Sequence, residues 1–197
     1  MSSESFNSFI FDSSRILNTT MNCGDDPDLD LDSEPSSTHY STCTVQQSRS
    51  SRQTTSLEER PPRAGPYAKA VIDWKKHTFQ IAGATQRIEQ LRKKRAAFSS
   101  SRYWSWFPEE EYRVKFGAEM ENTWSVYSYD GSVLATFNSN VRLFRDKMPI
   151  LQLSPNVTDD HERQFLILIL LYSETKRLEG IRQRPMSIVA DITARRR

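Results

Sequence analysis

A mainly β chain of short antiparallel strands, ending in one deeply buried helix, is the fold class this sequence predicts, and three observations carry it. Runs of β-branched and aromatic residues broken by polar ones recur from Tyr67 to Leu153. One of them, Tyr112-Arg-Val114-Lys-Phe116, alternates strictly, with three apolar groups on one face and two cations on the other. Near the C-terminus, the unbroken apolar run Phe165–Tyr172 lies between a helix-start and a helix-stop signal.

In chain order, Phe6–Phe11 and Thr42–Gln46 are the first strand candidates, followed by Tyr67–Trp74 and Thr78–Ile81. Tyr112–Phe116 comes next, and then the pair Trp124–Tyr127 and Val133–Phe137 around Asp130-Gly131. Asp-Gly between two strand-like runs predicts a two-residue type I′ hairpin, which needs positive φ at both central residues. Val141–Phe144 and Ile150–Leu153 continue the pattern at hairpin spacing.

The final element reads as a helix. Asp159 can act as N-cap, with Glu162 three residues on as in a capping box, and Asp160 adds charge at the positive end of the helix dipole. Lys176 and Arg177 lie near the other end, where Gly180 is a natural C′ residue. The apolar part covers every face of the cylinder, so it must be buried on all sides. A fully buried central strand is the rival reading; the capped ends and the polar continuation Ser173–Glu179 favour the helix.

Composition divides the chain of 197 residues. Residues 1–63 carry 10 acidic and 5 basic side chains, whereas residues 64–197 carry 15 and 22, so the net charge of +2 averages two unlike parts. The Ser/Thr/Gln/Arg-rich stretch from Ser36 to Arg63 is poor in apolar residues, which predicts a mobile insertion around 47–63. One domain over residues 1–182, with a basic, disordered tail at 183–197, is the expected organisation.

Several function classes find no support. Phe165–Tyr172 is far shorter than the roughly 20 apolar residues of a membrane span. The first residues show neither a basic region nor a sustained apolar one, so an intracellular location, cytoplasmic or peripheral to a membrane, is expected. Cys23 and Cys43 form no CxxC and read as free thiols. No GxGxxG, Walker, GxSxG or HExxH motif occurs, so no catalytic residue, metal ligand or cofactor is assigned. Asp159–Glu162 reads as an acidic helix start rather than a metal cluster. The acidic run Asp25–Glu34 lacks the glycine and final glutamate of a calcium loop.

The combination of short antiparallel strands with an all-apolar C-terminal helix resembles the tubby-like fold of tubby C-terminal domains, plant LURP-one proteins and phospholipid scramblases. The chain is similar in particular to a fungal domain family of unknown function assigned to that fold. Carrying the resemblance are Arg15–Thr19, Ala70–Trp74 with Phe79–Gly83, Ser99–Arg102, Tyr112–Lys115, Leu134–Phe137 and Phe165–Tyr172 with Lys176-Arg177. The sequence departs from the family in its insertion near 47–63 and in having Val114 at a commonly aromatic position. The resemblance implies an antiparallel β-barrel enclosing the C-terminal helix.

The densest basic run is Arg92-Lys93-Lys94-Arg95, to which Lys75-Lys76 adds. Such cations fit a solvated face, or an anionic lipid surface at about 1 kcal/mol each, and phosphoinositide binding by tubby-like domains points to the second. The expected function is therefore a non-enzymatic binding or scaffold module. Its candidate lipid-binding residues are Lys75, Lys76, Arg92, Lys93, Lys94 and Arg95, and a protein partner is the other expectation. A nucleic-acid-binding or transcription-related module, using the basic run with Arg102–Phe107, is the alternative; the balanced net charge argues against it. An enzyme with a site assembled from scattered residues is the third reading.

Overall fold

The computed structural model describes residues 6–23, 39–48, 51–60, 69–95, 101–117, 123–139 and 148–183. The expected strand Val141–Phe144, the acidic run Asp25–Glu34 and the tail after Gln183 lie outside the described residues. The strands are β1 Asn7–Phe11, β2 Thr19–Cys23, β3 His39–Ser48, β4 Ser51–Arg60, β5 Lys69–Asp73, β6 Thr78–Ile81, β7 Ala84–Arg87, β8 Arg92–Lys93, β9 Arg102–Trp104, β10 Tyr112–Gly117, β11 Thr123–Tyr127, β12 Val133–Asn138 and β13 Ile150–Leu153. A one-turn helix α1, Ile88–Leu91, joins β7 to β8, and α2 spans Asp160–Gln183.

All strands belong to one antiparallel sheet, in the order β7-β6-β5-β4-β3-β2-β1-β13-β12-β11-β10-β9-β8. The order is a meander that starts again at the pairing of β1 with β13, through Asn7 with Leu153 and Ile10 with Ile150. Its two ends, β7 and β8, are separated in sequence only by α1. Side chains near these ends touch: Phe79 of β6 stacks on Trp104 of β9 at 5.8 Å, and Gln86 Nε2 of β7 donates to the carbonyl of Trp106, which follows β9, at 3.3 Å.

Helix α2 packs against this sheet, and each residue from Phe165 to Tyr172 is at most 5% exposed. Successive helical residues are 100° apart, so these eight point in every direction round the axis and protein surrounds them on all sides. Phe165 touches rings from both halves of the strand order, Phe79 of β6 and Tyr112 of β10. At about 1.5–3 kcal/mol per side chain, burying the eight contributes on the order of 12–24 kcal/mol gross, an upper estimate. The start of the helix follows the expected cap: Asp159 Oδ1 accepts the Glu162 N–H at 2.8 Å. The Glu162 carboxyl turns instead to Tyr112.

Three local readings differ from the structure. Residues 51–60, within the stretch expected to be a mobile insertion, form β4, paired with β3 from His39–Arg60 to Ser48–Ser51. Thr55, Leu57 and Glu59 alternate inward there, and Thr55 ties Trp74 Nε1 at 2.8 Å, so a strand with few large apolar groups still buries one face. The β11–β12 hairpin is present, but its turn is not type I′. Gly131 N–H donates to the Ser128 carbonyl and Ser128 N–H to the Ser132 carbonyl, with positive φ at Gly131 only, which describes a three-residue type I turn with a glycine bulge. Asp130 is held in that turn by the Ser128 hydroxyl first and by the Ser132 N–H at 3.0 Å, which pull its carboxyl down to about 2.

The two-residue type I′ turn lies elsewhere, at Ala82 (φ 49°) and Gly83 (φ 82°) between the paired Ile81 and Ala84. Last, α2 runs through Gly180 to Gln183 instead of ending at Gly180.

Candidate functional site

The structure ties the turn that carries one expected basic segment to the short helix that leads into the other. Lys75 and Lys76 occupy the β5–β6 turn, where Asp73 Oδ1 accepts their backbone N–H groups at 3.1 and 2.8 Å. His77 closes the turn in the left-handed region, at φ 55°. Its carbonyl accepts the Ile88 N–H at 2.9 Å, one turn of α1 before Arg92. This bond fixes the Lys75-Lys76 turn beside the start of α1, which leads into β8.

An aromatic cluster begins at Trp74, the residue before Lys75. Trp74 stacks on Tyr172 at 5.6 Å and 13°, and Tyr172 meets Phe79 and Trp104 edge-on at 5.7 Å. Arg92 lies over Trp104 and Tyr172, at 5.9 and 6.0 Å from their centroids. Arg52 and Lys176 lie over Trp74, at 5.6 and 5.8 Å. Glu179 pairs with both Arg52 and Lys176. Cation–π contacts of this kind are worth about 0.5–1 kcal/mol where exposed. The cations therefore also cover the rim of the core with their aliphatic stems.

The four-residue run divides at this point. Arg92 faces the aromatic cluster, while Arg95 pairs with Glu111 and lies 4.4 Å over Tyr103. Lys76 is 3.7 Å from Asp73 Oδ2, with 77% of its side chain exposed. Lys75, Lys93 and Lys94 are exposed as well. The cations that lie over the aromatic cluster are Arg92, Arg52 and Lys176. The last two were missed in the sequence, although Tyr172 and Lys176 stand four apart on one helix, a spacing at which side chains meet.

Deeper in α2, Glu174 is wholly buried. Its carboxylate accepts Trp124 Nε1 at 2.9 Å and Arg177 Nε and Nη2 at 2.6 and 2.8 Å. Arg177 in turn covers the Phe116 ring at 4.9 Å. At the opposite end, Tyr40 is buried beside Arg163, and burial pushes its phenol up to about 12. Among the described residues no three His, Cys, Asp or Glu side chains converge as metal ligands, and no helix is long and apolar enough to cross a membrane. His77 is exposed and 3.5 Å from Glu89, and His161 lies in the first turn of α2.

Comparison of the chain with protein-family models, with curated proteins and with solved structures finds no match. The antiparallel sheet with its C-terminal helix agrees with the coarse architecture of the tubby-like resemblance.

Proposed function

We propose that the chain is a non-enzymatic binding module of tubby-like type, its sheet closed round α2, which associates peripherally with anionic lipid at an intracellular membrane face. The all-round burial of Phe165–Tyr172 supports closure, as do the contacts of Phe79 with Trp104 and of Gln86 with Trp106. Lipid association rests on one observation: Lys75, Lys76, Arg92 and Lys93 are all exposed, the first two on the β5–β6 turn and the others on β8. Cations suit the negative potential of the headgroup region.

Vesicle flotation tests this reading with neutral vesicles, phosphatidylserine vesicles and phosphoinositide vesicles of matched charge. The triple variant Lys75→Ala, Lys76→Ala, Lys93→Ala leaves the aromatic cluster covered. At about 1 kcal/mol per cation it is expected to bind anionic vesicles roughly a hundredfold more weakly than the parent. Equal flotation of parent and variant, or no preference for anionic vesicles, would falsify the lipid reading. Binding to duplex DNA that weakens steeply with salt, without vesicle binding, would replace it with the nucleic-acid one.

A further inference from the structure

At the other end of α2, three oxygens have too few protons if both carboxyls are ionised. The Tyr112 hydroxyl lies 2.5 Å from Glu110 Oε2 and 3.0 Å from Glu162 Oε1, both hydrogen-bonding distances. A phenol donates one proton and an ionised carboxylate donates none, so one of the two contacts would lack a hydrogen. The count closes when one carboxyl is protonated. Tyr112 then donates along the shorter contact to Glu110, and a protonated Glu162 donates to the phenol oxygen.

The surroundings place that proton on Glu162. Glu110 is exposed, whereas Glu162 is partly buried, and burial is the main cause that lifts its carboxyl above the ordinary range. The negative charges of Glu110 and Asp159 push the same way, while the Tyr112 hydroxyl and Arg163 pull down. Arg163 is itself engaged, with Asp160 at 3.0 Å and the Val157 carbonyl at 3.2 Å. Burial also pushes the Tyr112 phenol far up, so it keeps its proton at any physiological pH.

We propose that Glu162, Tyr112 and Glu110 form a proton-sharing clamp that fastens the first turn of α2 to β10, tight while Glu162 is protonated and loosened once it ionises. Folded Glu162 holds its proton more firmly than the unfolded chain does. Its contribution to stability is therefore complete below the ordinary glutamate value of about 4.3 and is lost as pH rises through the higher folded value. Mild acid tightens the helix start; neutral pH makes it the more easily opened end.

Carboxyl-detected NMR titration together with thermal unfolding from about pH 4 to about pH 7.5 tests the clamp. Glu162 is expected to titrate above the ordinary glutamate value. Its midpoint should move in Tyr112→Phe. The unfolding temperature of the parent should fall relative to Glu162→Gln as pH rises, because the amide donates at every pH. A Glu162 midpoint at or below the ordinary value, a midpoint unmoved in Tyr112→Phe, or parallel unfolding curves for parent and Glu162→Gln would each overturn the proposal.

Discussion

The first turn of α2 sits among carboxyls and phenols, whereas its later turns sit among cations and indoles, and both arrangements run with the helix dipole. Between them, Phe165–Tyr172 carries only one polar group, the Tyr172 hydroxyl. The ends differ in how each brings polar atoms back toward water. The acidic end does so with hydrogen bonds that depend on proton count, from Glu110 through Tyr112 to Glu162. The basic end uses ring faces and alkyl stems, through Trp74, Tyr172, Trp104 and the cations over them. The first arrangement is sensitive to pH; the second leaves charge standing at the surface, where a partner can use it.

One substitution tests that contrast hardest. Glu174→Ala leaves Trp124 Nε1 and the Arg177 guanidinium, both partly buried, without the acceptor they share. A loss of about 3–5 kcal/mol is expected, which for a domain of this size lowers the unfolding temperature by roughly 6–20 °C. A loss of less than about 1 kcal/mol would mean that the pair behaves as a surface one, and that water reaches this part of the helix.

Gly180 offers a smaller effect of the opposite sign. It lies in an exposed stretch of helix, and an added Cβ there would meet nothing within 4 Å. Gly180→Ala should therefore stabilise by about 1 kcal/mol, seen as a rise of roughly 2–4 °C in unfolding temperature. Destabilisation would instead indicate a left-handed C′ glycine that ends the helix, as the sequence alone suggested.

How far the fold could be read in advance depended on which force dominated locally. Thr78–Ile81 and Ile150–Leu153 were legible to the residue, and Tyr112–Gly117 nearly so, because period-2 burial leaves a direct trace. The helix was legible from its cap and its apolar run. β4 was not, since its stability comes from pairing with β3 and from the buried Thr55 and Leu57 rather than from hydrophobic content. The turn at Ala82-Gly83 was hidden for a related reason: alanine is a poor left-handed residue, held there by the pairing of Ile81 with Ala84.

Of the candidate site, the exposed lysines and the Arg92 run were visible as charge. The division of that run, with Arg95 drawn to Glu111 and Tyr103, was not. Nor was the burial of Glu174 within what read as a polar continuation. Both depend on partners far away in sequence, which no local pattern encodes.

Enclosure of α2 is the claim on which the rest depends, and amide hydrogen exchange along residues 165–175 tests it most directly. A helix lying on one face of an open sheet exchanges faster on its outer side, with a period of about 3.6 residues. A helix surrounded on every side exchanges only through global opening, so protection should be uniform along Phe165–Tyr172 and should equal the stability of the whole molecule. A periodic pattern, with every third or fourth amide exchanging markedly faster, would contradict enclosure.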